Sequence, residues 1–226
     1  MTQAIIIQRP SGQAVQLMLL AHAYGSDAQS MVAVGQLLAA QFPSAFIVSL
    51  SAAHACELGQ GRQWFSLQGL ENDVYGQMLE ERVDEAMVEF LADIQVWQKT
   101  ANLSLEATAL IGFAQGGMMA LESTRKPATL AGRVVAIASR FAVLPDQANG
   151  ATTLHLVHGK TDTVVPYANM LQAAERLIEL GSDITADVVP FVGHEVNAEL
   201  VNLIIERLTT YIPRRRWDEA LSTRSP

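Results

Sequence analysis

The sequence predicts an α/β fold, in which helices cover both faces of a doubly wound, mostly parallel sheet. Short apolar runs alternate with segments of helical length along the chain. Most of these runs are continuously apolar, which is typical of strands buried on both faces. No repeat, low-complexity segment or long linker divides the 226 residues, so we expect a single domain, residues 1–226, without a large cap.

The predicted strands follow the apolar runs, and the predicted helices fill the segments between them. The strands lie at residues 5–8, 15–21, 45–50, 108–113, 133–138, 153–158 and 184–189. The helices lie at residues 28–41, 74–100, 115–123, 168–180 and 195–211. Gly181 is a natural C-cap for the fourth helix, and Pro213 ends the last one. Ligands of such sheets bind beyond the carboxyl ends of the strands, so the residues just after each strand are the functional candidates.

Composition and charge exclude several classes of protein. Half of the residues are hydrophobic, which excludes a disordered chain, and the net charge of −8 argues against a nucleic-acid partner. We interpret the basic run 214–216 as a solvated stretch beyond the last helix. The single cysteine, Cys56, cannot form an internal disulfide and is interpreted as a spectator thiol in a reducing compartment. Residues 1–7 lack the basic start of a signal peptide, and the run 17–21 is too short to span a bilayer, so we expect a cytoplasmic protein.

The pentapeptide at residues 112–116, Gly-Phe-Ala-Gln-Gly, follows the G-x-S-x-G pattern of a nucleophile elbow except at its middle residue. An elbow holds its nucleophile in a strained turn between a strand and a helix, and side chains two residues away would collide there. Gly112 and Gly116 satisfy that requirement, and Ala114 stands at the nucleophile position. Taken alone, the pentapeptide also fits a glycine-rich turn without chemistry.

Two further residues follow later predicted strands in the order that an α/β-hydrolase requires. Asp162 comes after the strand at 153–158, and His194 comes after the strand at 184–189. Alone, Asp162 is an ordinary turn residue and His194 an ordinary loop histidine. Together with position 114 they reproduce the nucleophile, acid, histidine order of this fold, and we favour a catalytic triad.

Backbone N–H groups near these residues are candidates for an oxyanion hole. One is the N–H of Gln115, directly after the nucleophile position, and the other lies in the loop 22–26 after an early strand. The same loop also fits an ordinary connection with Ser26 or Asp27 capping a helix. His22 and His158 are interpreted as half-buried structural residues, and no histidine, cysteine or carboxylate cluster has metal-ligand spacing.

With these residues in place, the chain resembles the bacterial carboxylesterase/phospholipase family, which includes acyl-protein thioesterases. The matching segments are 19–25, 61–66, 111–116, 158–162, 192–194 and the tail 212–222. The resemblance implies a serine carboxylesterase with an open groove, acting on a small-molecule ester without a cofactor. It implies that position 114 is the nucleophile, Asp162 the orienting acid and His194 the base, with the N–H groups of Tyr24 and Gln115 as the oxyanion hole.

The resemblance also implies that Trp64 and Phe65 line the acyl groove, and Met118 is a further candidate; core packing is the alternative for all three. Two residues depart from the family pattern, which has glycine at Ala23 and serine at Ala114. The first departure shifts the expected oxyanion loop. The second removes the attacking hydroxyl.

Alanine is serine without its hydroxyl oxygen, whereas the elbow glycines, Asp162 and His194 are all retained. We therefore interpret the chain as an engineered, nearly inactive Ser→Ala variant of an esterase that prefers short acyl chains. One alternative is a natural pseudo-hydrolase that binds acyl or ester ligands without cleaving them. Another is slow hydrolysis by a water molecule activated at His194. The sequence leaves open both a monomer and a homodimer.

Overall fold

The computed structural model describes residues 4–72, 76–126 and 130–222. The strands are β1 (Ile5–Gln8), β2 (Gln16–Ala21), β3 (Ala45–Leu50), β4 (His54–Ala55), β5 (Arg62–Gln63), β6 (Thr108–Phe113), β7 (Arg133–Ile137), β8 (Thr153–Gly159) and β9 (Asp183–Val189). Seven of them form the central sheet, in the order β1-β3-β2-β6-β7-β8-β9. All neighbours in this sheet are parallel except β1 and β3, which are antiparallel. The predicted mostly parallel sheet is confirmed.

The five predicted helices lie close to their predicted positions. They are α1 (Val32–Gln41), α2 (Gln77–Ala101), α3 (Gln115–Ser123), α4 (Tyr167–Glu179) and α5 (Ala198–Thr210), and a further helix, α6 (Arg214–Ser222), follows them. A short 3-10 turn, Ala28–Met31, precedes α1. The helix predicted at 195–211 begins later because Asn197 caps it, and its Oδ1 accepts the Leu200 N–H at 3.1 Å. Residues 74 and 75 of the helix predicted at 74–100 lie outside the described residues.

Helices cover both faces of the sheet, which explains why its strands are continuously apolar. Successive side chains of a strand point to opposite faces. In β2, Leu17 and Leu19 join the core shared with α2, α3 and α4, whereas Met18 and Leu20 join the core shared with α1 and α5. All four side chains are buried. Both faces of β2 therefore require apolar residues.

α2, with 25 residues, packs one side against this sheet. Its buried residues Val83, Met87, Phe90 and Ile94 recur at three- and four-residue spacing, the pattern of an amphipathic helix. Within the described part of the chain, no helix is both long enough and apolar enough to cross a bilayer.

Two short strands and one helix were not predicted. β4 and β5 form a separate antiparallel hairpin, and α6 lies beyond Pro213. The interpretation of residues 214–216 as a solvated stretch holds for the exposed side chains of Arg214 and Arg216 but not for Arg215, which is partly buried. The Arg215 guanidinium donates to the Gly132 carbonyl at 3.0 Å, and the Arg214 N–H donates to the Asp183 carboxylate at 3.0 Å. These bonds hold α6 against the edge where the parallel strands begin.

Candidate active site

The strand, turn and helix expected around Ala114 are all present. β6 ends at Phe113, α3 begins at Gln115, and Ala114 between them has φ 50° and ψ −111°. A positive φ strains any residue that carries a Cβ atom. Two hydrogen bonds hold the turn: the Ala114 N–H donates to the Ile137 carbonyl at 3.0 Å, and the Ser139 hydroxyl donates to the Ala114 carbonyl at 2.8 Å. The Ala114 side chain thus stands at the carboxyl end of a central strand.

The two elbow glycines lie where no side chain fits. A Cβ atom on Gly112 would come well within 3.0 Å of the Gly116 backbone, and one on Gly116 equally close to the Ala21 carbonyl. Backbone atoms of this kind cannot move aside without shifting a strand or a helix. The glycines therefore allow α3 to start directly against β6 and β2.

Asp162 and His194 form a hydrogen-bonded pair beside this turn. His194 Nδ1 lies 2.8 Å from Asp162 Oδ2, and the other carboxylate oxygen accepts the N–H groups of Val164 and Val165, both at 2.8 Å. Burial pushes the pKa of Asp162 up, but the hydrogen bonds from His194 and the two N–H groups outweigh it, so the pKa lies below its usual value. An ionised Asp162 accepts the Nδ1 proton, which leaves Nε2 of His194 free to accept another proton.

His158 also lies beside this carboxylate, and it is fully buried rather than half-buried as predicted. Its Nε2 lies 2.8 Å from the Val165 carbonyl and 3.3 Å from Asp162 Oδ2. Burial lowers the pKa of His158, although the Val165 carbonyl and Asp162 oppose this effect. The Val165 carbonyl can only accept, so the neutral imidazole donates its Nε2 proton to that carbonyl, and the same nitrogen also lies near the Asp162 oxygen that faces His194. The strand-end position of His158 was the only sequence signal for this role.

Ala114 and His194 line the same cavity, which has a volume of about 360 Å³. The His194 ring also packs against that of Phe113, with 4.9 Å between the ring centres. Much of the remaining wall is apolar, formed by Leu67, Leu70, Leu79, Met118, Val164 and Val165. The structure thus brings position 114 and the Asp162–His194 pair to one small, mostly apolar pocket.

The backbone N–H groups proposed for the oxyanion hole are at this cavity as well. Tyr24 and Gln115 both line it. The residue after each of them is fixed by a backbone hydrogen bond. The Gly25 N–H donates to the Arg62 carbonyl at 3.0 Å, and the Gly116 N–H donates to the His22 carbonyl at 3.1 Å. Across the described ranges, the N–H groups of Tyr24 and Gln115 have no protein acceptor. Two fixed donors are therefore free to bind an oxygen in the cavity.

The three residues predicted to line the acyl groove do not all line the cavity that contains Ala114 and His194. Phe65 and Met118 line the cavity, whereas Trp64 does not. Trp64 is 5% exposed and packs edge-on against Phe90 with 5.2 Å between ring centres, and it lines a neighbouring cavity together with Phe65. The Gln115 side chain holds this segment: its Oε1 accepts the Trp64 N–H and its Nε2 donates to the Phe65 carbonyl, both at 2.8 Å.

Sequence reasoning missed Ser139 and Arg140, which also line the cavity. They follow β7 at the carboxyl edge of the sheet, a position at which functional residues were expected, but no motif singled them out. The described residues contain no group of three or more histidine, cysteine, aspartate or glutamate side chains that could hold a metal ion.

Sequence comparison relates nearly the whole chain to known proteins. The profile of a family described as Phospholipase/Carboxylesterase matches residues 2–212. Esterase YpfH of Escherichia coli (strain K12) is 40% identical over 221 residues, which cover 98% of this chain and 94% of that protein. Acyl-protein thioesterase 1 of Gibberella zeae is 26% identical over 160 residues, 66% of this chain and 68% of that protein.

Solved structures share the fold. The crystal structure of esterase PE8 matches with a TM-score of 0.78 and 25% identity, covering 93% of this chain and 98% of that one. Acyl-protein thioesterase 2 of Zea mays matches with a TM-score of 0.72 and 19% identity, covering 92% and 98% respectively. The latter likeness concerns the fold alone.

Proposed function

The chain belongs to the phospholipase/carboxylesterase family, and from this membership we propose that its site is that of a serine carboxylesterase for short-chain esters, silenced here by alanine at position 114. The observation that carries the proposal is the Asp162–His194 pair, which shares one cavity with the strained Ala114 turn. Such a turn has no evident use except to present a side chain to that cavity.

Acylation requires a hydroxyl at position 114. Its oxygen attacks the ester carbonyl carbon while His194 Nε2 takes its proton, which forms a tetrahedral intermediate and an imidazolium. The negative oxygen accepts the N–H groups of Tyr24 and Gln115, which need no reorientation because the loop and α3 already hold them. When the intermediate collapses, the bond to the alcohol oxygen breaks and the imidazolium returns its proton to that oxygen.

Deacylation reverses these roles with water as the nucleophile. His194 takes a proton from water, the resulting oxygen attacks the acyl carbon, and the serine oxygen leaves with the proton from the imidazolium. Asp162 remains ionised throughout because its pKa lies below its usual value. Its negative charge stabilises the imidazolium in both steps.

With alanine at position 114 the attacking oxygen is missing, and removal of such a nucleophile costs on the order of a million-fold in turnover. The cavity, the base and the free N–H donors remain, so the chain retains the means to bind an ester. A volume of about 360 Å³ lies near the lower end for ligand pockets and favours short acyl chains.

The retained binding apparatus also favours a second candidate function, a natural acyl- or ester-binding protein without turnover. The two candidates differ in the encoding gene: an alanine codon at position 114 of the natural gene supports the binding protein, and a serine codon supports the esterase.

The experiment is to prepare Ala114→Ser and measure hydrolysis of p-nitrophenyl acetate and p-nitrophenyl butyrate. We expect a gain on the order of 10⁵- to 10⁶-fold over the alanine chain. Ala114→Gly is the matched control, because it changes the same strained position without adding a hydroxyl, and it should remain inactive. Adding His194→Ala to Ala114→Ser should abolish the gain. If Ala114→Ser hydrolyses neither ester faster than Ala114→Gly, the proposed esterase function is wrong.

A further inference from the structure

Arg140 places a permanent positive charge in the wall of the active-site cavity. It lies just beyond β7, next to Ser139, whose hydroxyl donates to the Ala114 carbonyl at 2.8 Å. Arg140 lines the cavity together with Ala114 and His194. Arg140 therefore belongs to the same cavity in which an ester carbonyl would be attacked.

The described residues offer this guanidinium no carboxylate partner within 4.0 Å. Its Nη1 donates to the Phe141 carbonyl at 3.1 Å. The carboxylate that acts on it electrostatically is Glu122, but Glu122 is already engaged by Arg125 at 2.7 Å and by the Ala142 N–H at 2.6 Å. A guanidinium carries several further N–H donors in a planar fork, and most of these remain available.

The surroundings make an unpaired cation costly. Arg140 is half-buried, and burial lowers the pKa of its guanidinium, with only partial compensation from Glu122. A partly desolvated charge without a counter-ion destabilises a fold unless something supplies one. None of the described cavity-lining residues is an aspartate or a glutamate, although the chain as a whole carries a net charge of −8. Among the described residues, no carboxylate at the cavity is placed to serve as its direct counter-ion, which leaves that role to a bound anion.

We propose that Arg140 binds an anionic group of the substrate, so that the site prefers esters carrying a carboxylate a few bonds from the scissile carbonyl. The inference rests on the proposed esterase function and narrows its substrate class. A carboxylate matches the fork of the guanidinium and binds it through two parallel hydrogen bonds, which are strong in a mostly apolar pocket. The apolar wall then receives the short carbon chain between the carboxylate and the ester.

The first test is binding to the chain as it exists, since alanine at position 114 prevents turnover. Isothermal titration at neutral pH compares monomethyl succinate with its uncharged analogue dimethyl succinate. We expect the monoanion to bind more tightly, and Arg140→Gln to weaken its binding about ten- to hundredfold while leaving the diester unchanged. Arg140→Lys should retain part of the preference. Arg216→Gln, which removes a charge from the exposed face of α6, is the control for net charge and should change neither affinity.

The second test uses turnover in the Ala114→Ser background and separates two sources of the carboxylate. One arm carries it on the acyl side, in monomethyl succinate and monomethyl glutarate, and the other carries it on the alcohol side, in 3-acetoxypropionate. Acid release is followed by pH-stat, with methyl butyrate as the neutral reference. In one of the two arms, Arg140→Gln should lower kcat/KM ten- to hundredfold relative to methyl butyrate, which corresponds to the loss of roughly one or two charge-assisted hydrogen bonds. That arm identifies the side of the ester that Arg140 contacts.

The outcomes distinguish this inference from the proposed function. If Ala114→Ser hydrolyses neutral and anionic esters equally and Arg140→Gln leaves their ratio unchanged, the anion site is refuted and the esterase function stands. If no ester is hydrolysed but monoanion binding depends on Arg140, the anion site stands and the esterase function is refuted. If Arg140→Gln does not fold, equal binding of the monoanion and the diester by the unaltered chain would overturn the inference.

Discussion

Replacing Asp162 by asparagine tests the acid–base pair directly, because it changes one carboxylate oxygen to an amide nitrogen and alters little else. The amide oxygen can still accept the N–H groups of Val164 and Val165, as one carboxylate oxygen does at 2.8 Å. The amide nitrogen then faces His194 Nδ1, where the carboxylate accepted a proton at 2.8 Å. Two donors cannot share that contact, so His194 must move its proton to Nε2 and can no longer act as a base.

The expected magnitudes follow from these contacts. In the Ala114→Ser background, Asp162→Asn should lower kcat by about 10⁴-fold, because the histidine holds the wrong tautomer. Loss of the charge-assisted bond to His194 should also reduce stability by about 2 kcal/mol, equivalent to about 4 to 8 °C in Tm for a chain of this size.

The pH dependence of stability gives an independent readout. Because folding depresses the pKa of Asp162, its contribution is present above the unfolded pKa and is lost as pH falls through the lower folded pKa. Urea unfolding of the original chain and Asp162→Asn should therefore show a stability difference that is full at neutral pH and shrinks below about pH 4. Asp218→Asn, at an exposed position of α6, is the matched control. An Asp162→Asn enzyme with unchanged kcat would refute the role of this pair.

Three further predictions concern stability, each measured by urea unfolding. Phe191→Gly should stabilise the chain by about 0.5 kcal/mol. Phe191 is 94% exposed and has a left-handed φ of 62°, so the strain that glycine relieves exceeds the entropy that glycine costs. A loss of stability would contradict this prediction. Gln115→Ala should cost about 3 kcal/mol, because it leaves the Trp64 N–H and the Phe65 carbonyl without their partner; a change below the error of measurement would show that water replaces the side chain. His155→Gln should make the free energy of unfolding depend less steeply on pH below neutrality. Burial lowers the pKa of His155 to about 4, so between pH 6.5 and pH 4 the unfolded chain binds a proton that the folded chain rejects. The loss of stability towards pH 4 should therefore be smaller in His155→Gln than in the original chain.

The sequence predicted the strands that form the sheet because their burial on both faces leaves a local signal, a continuous apolar run. It also indicated which residues follow those strands, and the structure brings Asp162 and His194 into contact across a separation of 32 positions. Strand order in an α/β sheet makes that meeting predictable, because carboxyl ends of parallel strands share one edge.

Elements stabilised by distant contacts escaped prediction. β4 and β5 are two residues long, too short for any periodicity, and α6 buries no side chain. α6 is held instead by bonds such as that of Arg215 to Gly132, 83 positions away. The packing of Trp64 could not be predicted for a related reason: its indole contacts Phe90 from α2, a contact that no local pattern encodes. Arg140 was overlooked because the absence of an ion pair is visible only in three dimensions.

Gln115 joins two parts of the cavity wall, since its backbone belongs to the elbow and its side-chain amide binds the backbone of Trp64 and Phe65. The distance between the elbow and the segment of Trp64 and Phe65 therefore depends on the length of one glutamine side chain. A single glutamine side chain therefore acts as a spacer between these two parts of the wall, and we expect its length to limit how wide a group the cavity admits.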